Sequence, residues 1–407
     1  MVLSHDHLDL RLVFANATYL TAMTAEEAAL IFSPQFHPNI NEYTLIELPK
    51  EVLDHLTNNE NEKAGSLIIR GLETDTAVVC TQTMTYSLSN VQSSNTMLFA
   101  RPTGDHSQPT VNTVYEIQDS LSSYWELTPC QPRVDRLRMV LEDAPYRGPT
   151  EEARMQARPS RENEEVELHT TKSLQNIIQA SDAELLQGLE ALGALEIDGF
   201  WRLVDPGYQE SILKFLLVSA VADDIPFDRL PLSQCVSMMA EADTPDYIVR
   251  HTLIRFSESP DVSDGRDPVF KLSEYKIGRF FGKQLLANAE TRRTKLNTFL
   301  NRWREAVPEP FQISLSMLQG LYLLEEEPNG SIIQYYPKEL LPLHEKPRFE
   351  ALFQVRKRWA HEDIVPYISD LAPTTKQLDA ILLKYARMFK VGQQTMYTSR
   401  FTYFKGR

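Results

Sequence analysis

The pattern of apolar and polar residues divides the chain into a strand-rich first part and a helix-rich remainder. Short runs rich in β-branched residues occur at 65–71, 76–81, 83–89 and 96–99. Several short strands at this spacing predict a small β-barrel or sandwich-like domain. Ahead of them, Thr24 and Glu27 have the spacing of a capping box, which predicts a helix over 24–31.

The pattern stops between residues 143 and 168. Four Pro and Gly residues interrupt this segment, and its second half is mostly charged. Such a composition predicts a flexible, solvated linker and therefore a domain boundary.

The stretch after this segment predicts two short helices and a β-hairpin. Ser181 and Glu184 form a capping box at the start of the second helix, and Gly193 marks its end. Asp198-Gly199, flanked by alternating apolar residues, is a strong hairpin signal. Two helices followed by a hairpin are typical of a winged helix. Trp201, just after the turn, either packs on the helix beneath it or faces a partner.

A similar order of elements recurs around the turn glycines Gly265 and Gly330, at nearly equal spacing along the chain. This repetition predicts a tandem array of winged helices. We therefore predict an α+β multidomain protein in which a β-rich partner-binding domain precedes three winged helices. The predicted limits are 1–142 for the β-rich domain, 143–168 for the linker, and 169–225, 226–292 and 293–407 for the winged helices, the last with a basic extension.

The charge of the chain is uneven. It has 41 Lys and Arg against 56 Asp and Glu, a net charge of −15. Residues 346–407 hold 12 basic and 5 acidic residues, or +7, so the rest carries −22, from 29 basic and 51 acidic residues. A basic end on an acidic body indicates either DNA binding or pairing with an acidic protein surface. The candidate phosphate contacts are Arg356, Lys357, Arg358, Lys384, Arg387 and Lys390.

Motifs for common enzyme classes are missing from the sequence. There is no G-x-x-x-x-G-K-[ST] phosphate loop, no G-x-S-x-G elbow and no H-E-x-x-H zinc helix. The three cysteines are far apart, which predicts neither a disulfide framework nor a metal site and favours a reducing compartment. Among the nine histidines, only His5 and His7 lie close together in the sequence. We expect a non-enzymatic intracellular protein without catalytic residues, metal or cofactor.

Several segments, in order along most of the chain, resemble the Dcc-type sister chromatid cohesion proteins. They are Ser94–Phe99, Tyr124–Leu127, Pro145–Pro149, Gly199–Arg202, Arg358-Trp359 with Asp363–Leu371, and Tyr397–Arg400. That family is an accessory subunit of the alternative, cohesion-specific replication factor C clamp loader. The likeness is weak over residues 1–60.

The resemblance implies a nuclear scaffold without catalytic residues. Its β-rich domain would bind a small partner subunit and the C-terminal end of the loader's large ATPase subunit. Its winged helices would bind the catalytic region of DNA polymerase epsilon and, without sequence specificity, DNA. Trp125 and Trp201 are the candidate partner-binding residues.

Three other interpretations remain, of which an enzyme of unrecognised class is the least favoured. A tandem winged-helix scaffold of another multiprotein assembly would share the repeat but not the β-rich domain. A transcription factor would need a basic recognition helix, whereas residues 181–196 hold four acidic residues and no basic one.

Overall fold

The computed structural model describes residues 2–4, 29–37, 43–57, 66–103, 114–157, 167–261, 267–328, 330–342, 344–372 and 374–401. Over these ranges the chain is a mixed α+β protein with thirteen α-helices and several β-sheets. Its internal contacts divide it into two compact units. Unit 1 comprises residues 1–147 and 152–204, and unit 2 comprises residues 148–151 and 205–407.

Unit 1 begins with a seven-stranded mixed sheet. Its strands are β1 (Val2–Ser4), β2 (Ala29–Phe32), β3 (Tyr43–Glu47), β4 (Ile68–Arg70), β5 (Val78–Cys80), β6 (Thr85–Pro102) and β7 (Val114–Pro129). Their order is β1-β3-β7-β6-β5-β4, and β2 also pairs with β7. Helix α1 (Lys50–Thr57) buries Val52 against Val79, Tyr86 and Leu127.

This sheet corrects two predictions. The described strands do not close into a barrel, because β4 pairs only with β5 and the sheet therefore keeps an edge there. Residues 29–31 belong to β2, which pairs in parallel with β7, so the helix predicted for 24–31 is wrong in this part. Pairing with a distant strand outweighed the local capping signal. Residues 24–28 lie outside the described ranges.

Two runs predicted as separate strands, 83–89 and 96–99, are parts of the single strand β6. The pairing of β6 with β7 shifts register between Gln92 and Met97 and again between Phe99 and Ala100. Such irregularities bend a strand without ending it, which explains why the alternation breaks while the strand continues.

Residues 136–204, which except for 148–151 belong to unit 1, form a group of helices and a hairpin that we call repeat 1. Its elements are α2 (Arg136–Glu142), α4 (Thr171–Ile177), α5 (Asp182–Leu192), β8 (Ala194–Ile197) and β9 (Phe200–Leu203), and His169 bridges to Trp201 beside β9. Helix α3 (Pro149–Ala157) forms where the sequence predicts a linker. Residues 158–166 of that predicted linker lie outside the described ranges.

The local signals predicted for repeat 1 are confirmed. Ser181 and Glu184 form the reciprocal capping box of α5, and Gly193 ends that helix at φ 68°. The turn between β8 and β9 places Asp198 at φ 53° and Gly199 at φ 85°. Two successive residues with positive φ match the right-handed twist of a tight hairpin, which explains the Asp-Gly sequence.

Polar contacts fix repeat 1 to the sheet of unit 1. The buried Arg70 on β4 donates to the Ala180 carbonyl and to the Asp182 carboxylate at the start of α5. The Thr85 hydroxyl donates to Glu184 at 2.6 Å and accepts from the Ser181 backbone at 2.8 Å. The acidic side chains at the N-terminal end of α5 therefore have partners inside the unit.

Over its described residues, unit 2 contains a similar order of elements three more times, with a short strand where repeat 1 has the His169 bridge and without a counterpart of α3. Repeat 2 (206–272) has α6 (Pro206–Ala222), β10 (Leu230–Pro231), α7 (Leu232–Met239), α8 (Asp246–Phe256), β11 (Ser257–Asp261) and β12 (Val269–Leu272). Repeat 3 (274–335) has α9 (Glu274–Ala287), β13 (Arg293–Lys295), α10 (Leu296–Ala306), the 3₁₀ helix Leu315–Leu318, β14 (Tyr322–Glu327) and β15 (Gly330–Tyr335). Repeat 4 (345–399) has α11 (Glu345–Val355), β16 (Arg358–Ala360), α12 (His361–Ile364), α13 (Thr375–Tyr385), β17 (Ala386–Val391) and β18 (Gln394–Ser399).

The three sheets of unit 2 share one strand order, in which the first and second strands flank the third. In repeats 2 and 3 the predicted turn positions are followed by strands β12 and β15, and the Ser273 side chain caps α9. The predicted turn at 264–265 lies outside the described residues. Repeat 4 adds a further turn glycine, Gly392 at φ 62°, beyond Gly199, Gly265 and Gly330.

The repeats of unit 2 have aromatic cores. Trp303 in repeat 3 and Trp359 in repeat 4 are fully buried. The indole of Trp303 donates to the Gly278 carbonyl at 2.8 Å, and that of Trp359 to the Leu352 carbonyl at 3.1 Å. A buried tryptophan with a hydrogen-bonded N–H group stabilises its repeat through both the apolar area it buries and its hydrogen bond.

In the described part of the chain, none of the helices has the length and apolarity needed to cross a bilayer.

Candidate interface sites

The sheet of repeat 4 carries two arginines in one cross-strand row. Strand β18 lies between β16 and β17, and Thr398 pairs with Arg358 on one side and with Arg387 on the other. Residues directly opposite each other lie on the same face of a sheet. Trp359, Tyr397 and Ala386 alternate with this row and point into the core, so Arg358 and Arg387 lie on the outer face.

Both arginines of this row are exposed, and neither forms an ion pair with another described residue. The Arg358 guanidinium lies 5.8 Å from the ring centroid of Phe389, which is two residues beyond Arg387 on the same face. We call Arg358, Arg387, Thr398 and Phe389 the outer wing face. Two guanidinium groups on either side of a hydroxyl can donate hydrogen bonds to phosphate oxygens.

The Arg356 side chain has hydrogen-bond partners within unit 2. Its guanidinium donates to the Asp363 carboxylate at 3.1 Å and to the Leu324 carbonyl at 2.6 Å. It also lies 5.0 Å from the centroid of the buried Trp359 ring. One guanidinium nitrogen therefore links repeat 4 to strand β14 of repeat 3, and the other pairs with Asp363 within repeat 4.

The other three predicted basic residues differ in their surroundings. Lys384 donates to Glu345 at 3.0 Å, and this hydrogen bond raises the pKa of the exposed ammonium group above its usual value. Lys357 is exposed and directly precedes β16. Lys390 is exposed but alternates with Phe389, which places it on the sheet face opposite Arg387. The structure thus brings only two of the six predicted residues together in one row.

Trp201 lies in the hydrophobic core of repeat 1. Its ring is partly buried against a cluster that includes Leu174 and Leu185, and its indole donates to the Thr171 hydroxyl at 2.9 Å. Its backbone also donates to the His169 carbonyl at 2.8 Å. These contacts give the residue a packing role within the repeat.

Trp125 is half-buried in the sheet of unit 1. It lies between Asn90 on β6 and Ile46 on β3. It shares a sheet face with Leu127, which is buried under α1. The partly exposed ring therefore continues an apolar face that α1 covers only in part.

The described residues contain no group of three or more His, Cys, Asp or Glu placed to hold a metal ion. Burial raises the pKa of all three cysteine thiols, and that of Cys235 reaches about 12. A thiol with a raised pKa carries little thiolate at neutral pH and is a poor nucleophile.

Two features escaped the sequence prediction. The alternation of Arg387, Phe389 and Val391 along β17 could have identified the outer wing face, but only with the strand pairing known. The hydrogen bond from Arg356 to the Leu324 carbonyl has no local signal, because Leu324 lies 32 residues away along the chain.

Comparison with known proteins agrees with the resemblance. The family model described as Sister chromatid cohesion protein Dcc1 matches residues 43–368. A protein of that name from Xenopus tropicalis is 34% identical, with 91% of this chain and 92% of that protein covered. The human protein is 30% identical over 88% of each chain, and that of Saccharomyces cerevisiae is 26% identical over 56% of this chain and 62% of its own. On this similarity the chain belongs to the family of sister chromatid cohesion protein Dcc1.

Proposed function

We propose that this chain acts in sister chromatid cohesion as a non-catalytic scaffold subunit of an alternative replication factor C clamp loader. The family match over most of the chain carries this proposal. The family and its relatives are named for cohesion and not for a reaction. The high pKa values of the three thiols also fit a protein without a cysteine nucleophile.

The sheet of unit 1 would bind the small partner subunit and the C-terminal end of the loader's large ATPase subunit. The described sheet has an edge at β4, and β2 exposes Leu30, Ile31 and Phe32, each about half. Unpaired strand edges and exposed apolar side chains are the usual requirements for adding a strand from another chain. Trp125 would contribute its exposed ring to this surface.

The four repeats would be winged helices, which shifts the proposed domain limits to 136–204, 206–272, 274–335 and 345–399. The repeats of unit 2 share the order of a helix, a short strand, two helical segments and a hairpin, and in repeat 1 the His169 bridge takes the place of the short strand, which supports this assignment. This array would connect the loader to the catalytic region of DNA polymerase epsilon and to DNA in the nucleus. The outer wing face of repeat 4 is the proposed DNA contact, because its two arginines have no acidic partner among the described residues.

Affinity purification of the tagged full-length chain from growing cells tests the scaffold assignment. We expect the large ATPase subunit, the small subunit and polymerase epsilon to co-purify in fixed proportion. Recovery of a different multiprotein assembly would favour the alternative tandem winged-helix scaffold.

Co-expression of residues 1–204 with the small partner subunit tests the role of unit 1. This boundary retains α2, whose Leu137 and Leu141 pack in the core of repeat 1. We expect a stable complex with the small subunit. A 1–204 fragment that remains monomeric and ignores that subunit would contradict the partner-binding role. Tagged residues 205–407 serve as the matched control.

A further inference from the structure

A groove crosses the surface of unit 2 at the first helix of repeat 2. It has a volume of about 540 Å³ and is lined by residues of α6, by Phe281 of α9, and by the end of α10 with the turn that follows. This volume lies within the range of sites that bind small ligands or a few anchoring side chains.

The wall formed by α6 is apolar and open to solvent. Lys214, Leu217, Val218 and Val221 follow the spacing of one helix face. Leu217 is buried at the base, whereas Val218 is 68% and Val221 59% exposed. Two exposed valines one turn apart, beside a concave surface, form a contiguous apolar patch. Such a patch indicates a binding site, whereas single exposed apolar residues do not.

The charges at this groove are unequal. The Lys214 ammonium group is paired with Glu210 at 2.6 Å and lies 6.0 Å from the Phe281 ring centroid. On the opposite wall, the exposed Glu305 and Glu309 form no ion pair with any described residue. The groove therefore presents an apolar floor with two carboxylates that have no cationic partner in the described part of the chain.

The lining also limits how a partner can bind. Helices and the turn after α10 supply the lining residues, and none comes from a described strand. A partner therefore cannot add a strand here, and its side chains must supply the contacts. An amphipathic helix presents apolar anchors one turn apart on a single face, which matches two valines at that spacing.

We propose that this groove binds a short amphipathic helix of a partner protein, with aliphatic residues one turn apart and Lys or Arg placed beside them. The aliphatic side chains occupy the space between Val218, Val221 and Ala306. The basic side chains pair with Glu305 and Glu309. This site is independent of the outer wing face and of the sheet edge in unit 1.

Selection of peptides on the full-length chain tests this proposal. The probe is a phage-displayed library of short random peptides, with counter-selection on the double variant Val218→Asp/Val221→Asp. Both valines are exposed, so the variant should keep its melting temperature. We expect enriched peptides with aliphatic residues at helical spacing and flanking Lys or Arg. No enrichment, or enriched peptides that bind the variant equally well, would overturn the proposal.

Fluorescence anisotropy with one selected, labelled peptide then tests the apolar wall formed by α6. Val221→Asp should weaken binding about tenfold or more, as expected at a central anchor. Val355→Asp, at a valine that is 52% exposed elsewhere in unit 2, is the matched control and should leave the affinity unchanged.

Charge reversal tests the chemistry of the occupant. Glu305→Lys/Glu309→Lys should lower the affinity for the basic peptide. It should raise the affinity for a version of that peptide with Glu in place of its basic residues. Equal affinity of both peptide versions for the wild-type chain would overturn the assignment of a basic occupant. Light scattering provides a separate check, because self-association lost in Val221→Asp would make a second copy the occupant and overturn the proposal.

Discussion

Repeats 1 and 4 have the same order of elements, yet they use their charged residues differently. In repeat 1, Asp182 and Glu184 at the start of α5 contact Arg70 and Thr85 of the sheet in unit 1. In repeat 4, the arginines on either side of Thr398 face outward. The same motif can therefore serve as an internal support or as a binding surface, depending on where its charges lie.

The tryptophans of the two repeats show a second difference. Trp359 is fully buried in repeat 4, whereas Trp201 is only partly buried in repeat 1. Both indole groups donate a hydrogen bond within their own unit. The depth of burial should therefore decide how much stability each ring contributes.

Replacement of Trp359 by alanine should have the largest effect. Removing a fully buried aromatic ring creates a cavity and typically costs about 3–5 kcal/mol. Urea unfolding of the full-length chain, followed by circular dichroism, measures the loss. Trp359→Phe, which keeps an aromatic ring, is the control and should cost less. A loss below about 1 kcal/mol would contradict the burial of this ring.

Trp201→Ala should lower the free energy of unfolding by less, about 1–3 kcal/mol, because the ring is partly exposed and the neighbouring side chains can adjust. The same unfolding experiment measures it. Binding of polymerase epsilon should remain at the wild-type level if the role of Trp201 is packing. Unchanged stability together with lost polymerase binding would instead make this ring a partner contact.

The proposed DNA contact at the outer wing face predicts how binding should depend on salt. Each arginine that contacts a phosphate should lower the magnitude of the slope of log K against log salt by about 0.9 when it is replaced. Arg358→Glu/Arg387→Glu should therefore flatten that slope by about 1.8. Binding of a labelled DNA duplex at several salt concentrations measures the slope.

Two single variants are controls for this comparison. Arg356→Gln should lower the stability of unit 2 and change the slope less than a replacement in the outer wing face, because the Arg356 guanidinium already donates to Asp363 and Leu324. Lys390→Glu, on the opposite sheet face, should change the slope less than Arg387→Glu. A double variant of the outer wing face with the wild-type slope would show that this face does not bind DNA.

The smallest effect concerns pH and repeat 1. Arg136 on α2 donates to Asp75 at 2.8 Å, and this hydrogen bond lowers the pKa of the Asp75 carboxyl group. A carboxyl group with a lower pKa in the folded protein stabilises the fold above its unfolded pKa of about 3.9. This contribution disappears as the pH falls through the folded pKa.

Asp75→Asn should therefore lower the melting temperature slightly at pH 7, and the difference from wild type should vanish in acid. Melting curves from neutral to acidic pH measure this. Glu73→Gln, at a nearby exposed carboxylate, is the matched control. A difference that persists unchanged at the lowest pH would show that the effect does not come from the ionised carboxylate.

The sequence by itself determined features that depend on neighbouring residues. The capping box of Ser181 and Glu184 formed as predicted, because both partners lie within one helical turn. The hairpin turn at Asp198-Gly199 also formed, because its backbone geometry depends on those two residues. The resemblance to the Dcc-type family, carried by short motifs in order along the chain, was confirmed by the family match.

The tertiary structure decided what depends on distant partners. Residues 29–31 became a strand because β7 offered a pairing edge. The open sheet followed from which strands pair, and no single run of residues encodes this. Arg356 and Arg358 are two residues apart, yet one turns inward to Leu324 and Asp363 while the other faces solvent. The reason is that strand pairing and ion pairs depend on residues that come together only in the folded chain.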